Sequence, residues 1–182
     1  LIVCSMLSLQ ARRSTEPEAT AVIEEASRRV SAIGAIYTEL YSEETFREVE
    51  LSGLLKHSLE HFSEPGCREI LSFDVEEVVL PPRSAVAVGL IANELVTNAL
   101  KYSPREGCEG SIEVRVRASQ KGMLRLTVRD SGAGYPGDVL DGTERGLGLD
   151  IVTALAGQHD ATLSLSNDNG AVAELTMPIG EL

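Results

Sequence analysis

IANELVTNALKY, residues 91–102, ends a long apolar stretch that predicts a helix from Arg83 to Tyr102. Glu94, Asn98 and Lys101 recur there at i, i+4 and i+7, so they share one stripe of the helix. An amide oxygen can ligate Mg²⁺, an ammonium can neutralise phosphate charge, and a carboxylate can order or deprotonate a nucleophile. The stripe therefore suits a metal-bound phosphate ligand. A solvated helix face is the alternative interpretation.

Two glycine-containing segments follow at the ends of predicted elements. The first, Asp130-Ser131-Gly132-Ala133-Gly134, comes directly after a strand predicted over 123–130. Its carboxylate can accept a hydrogen bond from an exocyclic amine, and its glycines let a flat ring approach the backbone. The second, Gly146-Leu147-Gly148-Leu149, opens a helix predicted to run to about Gln158, whose free N–H groups can bind an anion. Neither segment has the spacing of a Rossmann fingerprint or a Walker loop.

The remaining pattern predicts an α+β fold. The apolar pattern indicates an entry helix over 51–62. Alternating apolar residues and turn signals indicate six short strands, at 70–75, 78–80, 111–118, 123–130, 161–166 and 171–177. With the two helices above, this order predicts a two-layer α/β sandwich with a mixed sheet under helices.

The N-terminal part predicts a helical hairpin. Residues 1–13 form the first helix, and a break with a hydroxyl cap and a proline leads into the second over 17–41. The second helix carries an apolar seam at Ile23, Ala26, Val30, Ile33, Tyr37 and Leu40. Because two helices alone cannot bury this seam, we expect a homodimer through residues 1–41. Packing of the hairpin on its own second domain is the alternative. We place the hairpin at 1–44 and the second domain at 45–182.

Composition excludes several classes of protein. The chain has 16 basic and 28 acidic residues and a net charge of −12, which argues against nucleic acid as a partner. It contains no apolar run of the ~20 residues that span a bilayer, so we expect no direct membrane contact from this segment. Three cysteines without a CxxC spacing indicate a reducing, cytoplasmic compartment.

Taken together, the motifs resemble the ATP-binding fold of sensor histidine kinases, DNA gyrase, Hsp90 and MutL. The segment 94–102 is similar to the N-box, Asp130-x-Gly132-x-Gly134 to the G1 box, and Gly146–Leu149 to the G2 box. The sequence of residues 91–102 is similar to the corresponding segment of the HisKA_2 and HWE kinases in particular. The segment 6–13 resembles the end of that group's phosphoacceptor helix. The chain starts without methionine or helix cap, so we expect a fragment whose acceptor histidine lies upstream.

The resemblance implies a role for each matching residue. Glu94 would polarise the attacking imidazole or hold the metal's water, Asn98 would ligate Mg²⁺, and Lys101 would contact phosphate. Tyr102 would pack near the nucleotide, and Asp130 would bind the adenine amine. Arg145 would reach the γ-phosphate, with a solvated loop arginine as the alternative. The pocket would be shaped by Gly132, Gly134, Gly146, Leu147, Gly148 and Leu149.

The implied activity is transfer of the ATP γ-phosphoryl group to a histidine, for relay to the aspartate of a response regulator receiver domain. This transfer rests largely on positioning and charge neutralisation. Two alternatives share the fold: an anti-sigma-type serine kinase, and a scaffold or phosphotransferase that has lost ATP. The seam helix argues against the first, and the complete set of site residues argues against the second.

The chain departs from the family pattern at several positions. No Trp-x-Glu sequence is present, which favours HisKA_2 over HWE, and Ala171 stands where the family usually has threonine. The segment from Tyr135 to Arg145 would be a short lid, which agrees with this kinase group and is not a departure. The family's acceptor motif is matched by none of the three histidines, His57, His61 and His159.

Overall fold

A computed structural model describes residues 48–59, 62, 71–102, 110–119, 121–144 and 146–179, with 19–20, 22–23, 26–27, 29–31 and 34. The chain divides into two compact units, Leu1–Thr45 and Phe46–Leu182. In the first unit all of the described residues are α-helical. The predicted helix 1–13 and the seam positions Ile33, Tyr37 and Leu40 lie outside the described residues. None of the helices in these described ranges is both long and apolar enough to cross a bilayer.

The second unit alternates short strands with helices. Its elements are β1 (Val49–Glu50), α1 (Leu51–Leu59), β2 (Leu71–Val75), β3 (Val79–Leu80), α2 (Pro82–Tyr102), β4 (Ile112–Ser119), β5 (Met123–Asp130), α3 (Gly137–Leu140), α4 (Leu147–Gln158), β6 (Thr162–Asn167) and β7 (Ala171–Pro178). Pro82 begins α2, as expected for a residue that lacks an N–H and has a fixed φ.

The main sheet is mixed, which confirms the predicted fold class. Among the described residues it has five strands in the order β2-β4-β5-β7-β6. The pairing of β2 with β4 is parallel, and the other three pairings are antiparallel. In the β4–β5 register Ile112 lies opposite Asp130, so the last residue of β5 lies beside the first residue of β4.

One strand was not predicted. The polar segment 42–50 reads as a link between domains, yet Val49 and Glu50 form β1 and pair antiparallel with β3. Val49 and Leu80 are buried, and the Leu51 N–H donates to the Val78 carbonyl at 2.9 Å. A two-residue strand is too short to show the alternation by which strands are recognised in a sequence.

The core lies between one face of the sheet and the helices. Alternate residues of the central strands are fully buried, and α2 packs on β4 and β5 while α4 packs on α2 and β6. Burying a Leu or Ile side chain of this kind stabilises the fold by about 1.5–3 kcal/mol. The fully buried side chains include Ile91 and Leu95 of α2 with Ile112, Leu124, Leu126 and Leu175 of the sheet. This packing fixes the polar residues of α2 relative to the sheet.

The opposite face of the sheet carries exposed ion pairs. Asp74 of β2 accepts hydrogen bonds from Arg117 at 2.5 Å and from Arg115 at 3.2 Å, both on the neighbouring strand β4. The Arg117 hydrogen bond is the largest cause that lowers the pKa of Asp74 below its ordinary value. Such exposed pairs contribute little to stability individually.

Candidate functional site

The structure brings Glu94 and Asn98 of α2 together with Gly148 of α4. A methyl group added at Gly148 would lie 3.0 Å from Glu94 Oε2 and 3.2 Å from Asn98 Oδ1. Glu94 is 5% exposed, although it is a carboxylate. Glu94 and Asn98 of the predicted stripe and the glycine segment that opens α4 therefore form one polar cluster, and the absence of a side chain at Gly148 leaves the space in it.

The first turn of α4 contributes backbone N–H groups. Gly146 precedes the helix in an extended conformation and makes no side-chain cap. Its carbonyl accepts hydrogen bonds from the Leu149 and Asp150 N–H groups at 3.0 and 3.2 Å. The N–H groups that precede these have no acceptor within a helix, so this end suits an anion. Leu149 is buried, whereas the Leu147 side chain is 62% exposed.

Asp130 is the second polar centre. It is 7% exposed, and its Oδ1 accepts hydrogen bonds from the Gly132 N–H at 2.7 Å and the Ala171 N–H at 3.1 Å. In the part of the chain that the structure describes, no donor reaches Oδ2. Ala171, which stands where the family usually has threonine, thus contacts this carboxylate through its backbone N–H. One oxygen is fixed, and the other remains for a ligand.

The turn after Asp130 is fastened at two further points. Ser111 and Ser131 exchange hydrogen bonds at 2.9 and 3.1 Å. Tyr135 exchanges hydrogen bonds between its backbone and the Asn167 side chain at 2.7 and 2.9 Å. Burial of the Tyr135 phenol, with the nearby charge of Asp130, raises its pKa to about 12. The phenol is therefore neutral across the physiological range.

Lys101 and Tyr102 lie at the exposed end of α2. The Lys101 ammonium lies 5.4 Å from the centre of the Tyr102 ring, and Tyr102 is 67% exposed. An ammonium over a ring face at this distance is a weak attraction. Arg145 lies outside the described residues, as does His61. His57 is exposed on α1, and His159 follows the last residue of α4.

Sequence reasoning missed four residues around the site. Asn93, next to Glu94 in the sequence, is 4% exposed, and among the described residues its Nδ2 has no hydrogen-bond partner. Tyr135, Asn167 and Gly170 contact the Asp130 turn or each other. Asn167 and Gly170 belong to a segment recognisable only as a hairpin turn. The predicted lid also contains a short helix, α3, which the sequence did not indicate.

Comparison with known families gives two matches. Residues 84–181 match the family described as "Histidine kinase-, DNA gyrase B-, and HSP90-like ATPase". Residues 1–65 match HisKA_2, described as "Histidine kinase". The first match covers more than half of the chain and contains both polar centres.

Known proteins with similar sequences are named as histidine kinases. The chain is 26% identical to "Blue-light-activated histidine kinase 2" of Erythrobacter litoralis over 85% of its own length and 47% of that protein's. It is 30% identical to "Sensor histidine kinase PdtaS" of Mycolicibacterium smegmatis over 98% of its own length and 37% of that protein's. The chain thus spans less than half the length of either relative.

A solved structure shares the fold. The histidine kinase domain from Erythrobacter litoralis EL346 blue-light activated histidine kinase superimposes with a TM-score of 0.72 at 22% identity. The match covers 97% of this chain and 95% of that chain. At this identity the likeness concerns the fold alone.

Proposed function

The chain belongs to the family of histidine kinase-, DNA gyrase B- and HSP90-like ATPases, and we propose that it is the catalytic core of a sensor histidine kinase. It would transfer the ATP γ-phosphoryl group to a histidine, for relay to an aspartate of a response regulator. The observation that carries this proposal is the cluster of Glu94 and Asn98 around Gly148. The HisKA_2 match of residues 1–65 supports a histidine kinase over a serine kinase or a scaffold of the same fold.

Asp130 is the proposed adenine contact. Two backbone N–H groups hold its Oδ1, which fixes the direction of Oδ2. An ionised carboxylate is an acceptor only, so it selects a base that presents an amine. The turn around Gly132 brings backbone, without bulky side chains, beside this oxygen. Asp130 would therefore distinguish adenine from a base with a carbonyl oxygen at the same place.

Asn98 and Glu94 are the proposed Mg²⁺ and nucleophile-activating residues. Both are oxygen donors that line the space left by Gly148, and Mg²⁺ is normally held by one or two protein oxygens together with substrate phosphates and water. The residues present therefore fit this ion, with Asn98 as ligand. Bound Mg²⁺ would neutralise phosphate charge. Glu94, buried beside Asn98, would orient the attacking imidazole by accepting its proton.

The α4 N-terminus and Lys101 are the proposed phosphate contacts. The segment Gly146–Leu149 offers backbone N–H groups, and helix N-termini favour negative charge. Lys101 lies one helical turn beyond Asn98 on α2 and would add a positive charge. Arg145 and Tyr102 complete the proposed set, Arg145 at the γ-phosphate and Tyr102 beside the nucleotide.

The organisation of the chain is part of the proposal. We propose that residues 1–44 are part of a dimerisation and phosphotransfer hairpin and that residues 45–182 are the ATP-binding domain. The homodimer would form through residues 1–41, and the partner would be a receiver domain. Cysteine usage supports a cytoplasmic location. The similarity to proteins named histidine kinases supports this arrangement.

The substitution Asp130→Asn tests the adenine contact. The Asn oxygen can still accept from the Gly132 and Ala171 N–H groups, but its NH₂ would face the adenine amine, donor against donor. We expect ATP affinity to fall about 10- to 100-fold, the cost of one unpaired polar contact. Affinity for ITP, which has an oxygen in place of the amine, should fall less or rise. Calorimetric titration of both nucleotides measures the change.

Asp160→Asn is the matched control. Asp160 is exposed after α4 and has a φ of 51°, a conformation that asparagine also tolerates. This variant should bind ATP as the wild type does. If Asp130→Asn bound ATP as tightly as the control, the assignment of the adenine contact would be wrong.

Glu94→Gln tests the chemical step. The amide has nearly the same shape but cannot accept a proton, so ATP should still bind while phosphoryl transfer to a histidine falls by about 10²- to 10⁴-fold. The transfer is measured in a longer chain that includes the acceptor helix expected upstream of Leu1, as acid-labile, alkali-stable phosphate formed from γ-labelled ATP. Acid-stable phosphate on serine in the wild type would contradict the histidine kinase proposal.

A further inference from the structure

The side chain of Asn167 is paired with the backbone of Tyr135. The Tyr135 N–H donates to Asn167 Oδ1 at 2.7 Å, and Asn167 Nδ2 donates to the Tyr135 carbonyl at 2.9 Å. These two bonds satisfy both backbone groups of one residue, as a neighbouring strand would. Asn167 is the last residue of β6, at the edge of the sheet, and Tyr135 is the first residue of the lid.

Gly134 packs directly against the same asparagine. It has a φ of +83°, and a methyl group added to it would lie 2.7 Å from Asn167 Cγ. A side chain at Gly134 would therefore be strained by the backbone and would displace Asn167. The turn and the asparagine fit each other only with glycine at this position.

The β6–β7 hairpin also holds the other end of the same turn. The Ala171 N–H donates to Asp130 Oδ1 at 3.1 Å. Gly170, with a φ of +136°, lies so close that an added methyl group would lie 1.9 Å from the Asp130 carbonyl oxygen. One hairpin thus contacts the turn at Asp130, its first residue, and at Tyr135, its last.

We propose that Asn167 is a positioning residue of the nucleotide site, which fixes the Tyr135 backbone at the start of the lid and at the end of the turn that carries Asp130. This inference rests on the proposed ATP-binding function. Asn167 itself touches neither nucleotide nor metal in this proposal. It acts through the backbone of Tyr135, whose partly buried phenol lies within range of the Asp130 charge.

Two substitutions separate the two hydrogen bonds. Asn167→Ala removes both, and Asn167→Asp keeps the acceptor for the Tyr135 N–H but sets an oxygen against the Tyr135 carbonyl. We expect each variant to bind Mg·ATP about five- to thirtyfold more weakly at pH 7.5. In the nucleotide-free chain, exchange of the Tyr135 amide hydrogen should be about tenfold faster in Asn167→Ala.

The pH profile of Asn167→Asp distinguishes positioning from a general loss of stability. A neutral carboxyl both accepts and donates, so it restores the pairing, and the carbonyl beside it raises the pKa of the introduced group. The weakening is therefore present above that pKa and disappears as pH falls through it. The ratio of its Mg·ATP affinity to that of the wild type should rise towards one with falling pH. The corresponding ratio for Asn167→Ala should stay flat.

Asn169→Gly is the matched control, in the same hairpin. Asn169 has a φ of 51°, which glycine adopts without strain, and its side chain bonds to Asp168. This control should match the wild type in every measurement. If the wild type binds Mg·ATP and Asn167→Ala binds it equally tightly, the inference about Asn167 is wrong and the proposed function still stands. A wild-type chain that does not bind Mg·ATP would overturn the proposed function and leave Asn167 no site to position.

Discussion

The substitution Gly148→Ala is the sharpest test of the cluster formed by Glu94 and Asn98. Its methyl group would lie 3.0 Å from Glu94 Oε2, 3.2 Å from Asn98 Oδ1 and 3.3 Å from Asn98 Nδ2. An ordinary contact begins near 3.4 Å, so the carboxylate must move by about 0.4 Å and the amide by about 0.2 Å. Functional sites hold their groups within about 0.5 Å of the productive geometry, so the carboxylate comes close to this limit while the amide stays within it.

The magnitude follows from the two displaced side chains. Holding one side chain off its preferred rotamer costs about 0.5–1.5 kcal/mol, so two such displacements cost about 1–3 kcal/mol. If the two side chains can relieve that cost only when no ligand is bound, Mg·ATP affinity falls about 5- to 150-fold. The free energy of unfolding should change much less, because alanine is better than glycine in a helix by about 0.5–1 kcal/mol and offsets part of the strain.

Gly157→Ala supplies the matched control in the same helix. Gly157 is exposed in α4, and nothing lies within 4 Å of an added methyl group. This variant should gain about 0.5–1 kcal/mol of stability with unchanged nucleotide affinity. Calorimetric titration with Mg·ATP and urea unfolding of the two variants measure both quantities. If Gly148→Ala binds Mg·ATP as tightly as Gly157→Ala, Glu94 and Asn98 do not lie in the nucleotide site.

Three further outcomes are expected. Asn98→Ala should abolish most of the gain in ATP affinity that added Mg²⁺ gives the wild type, while affinity in EDTA stays the same; an undiminished gain would show that Asn98 is not the ligand. Because Arg117 lowers the pKa of Asp74, the stabilisation from that pair is present above about pH 4 and is lost as pH falls through the lowered folded value. The small difference in urea unfolding between Asp74→Asn and the wild type should therefore shrink as pH falls through that value, and a difference that does not change with pH would contradict this expectation. After incubation with γ-labelled ATP, we expect no acid-labile phosphate on the three histidines of this chain, His57, His61 and His159. Mass spectrometry that finds phosphate on any of them would overturn this expectation.

The fold was predictable from patterns that act locally. Apolar periodicity placed α2 within one residue of its start, and alternation placed β5 at its observed bounds. The mixed character of the sheet followed from the order of the elements. The pairing of β1 with β3 did not, because Val49 and Leu80 lie about 30 residues apart and each belongs to a two-residue strand. Such pairing is decided by burial in the folded chain, which no local window contains.

The candidate site was also predictable only where local patterns determine it. Glu94 and Asn98 share a stripe because helical spacing alone puts them there, and Asp130 stands out because a carboxylate ends an apolar strand. Their surroundings come from elsewhere: Gly148 approaches from α4, and Asn167 from β6. The sequence could indicate which residue types carry the chemistry. It could not indicate the contacts that surround them, since these, apart from the Gly132 N–H on Asp130, join positions more than 30 residues apart.

The glycines of the two motifs are required for different physical reasons, which their spacing in the sequence does not show. Gly134 needs its positive φ and leaves space for the Asn167 side chain, whereas Gly148 is an ordinary helical residue next to the Glu94 carboxylate. Gly146 is extended, with nothing within 4 Å of an added methyl group, so neither its conformation nor its surroundings require glycine. What remains for Gly146 is access of a ligand to the backbone N–H groups of α4. These three glycines of the two motifs therefore encode a turn, a close approach between helices and the proposed anion site, and each answers to a different substitution.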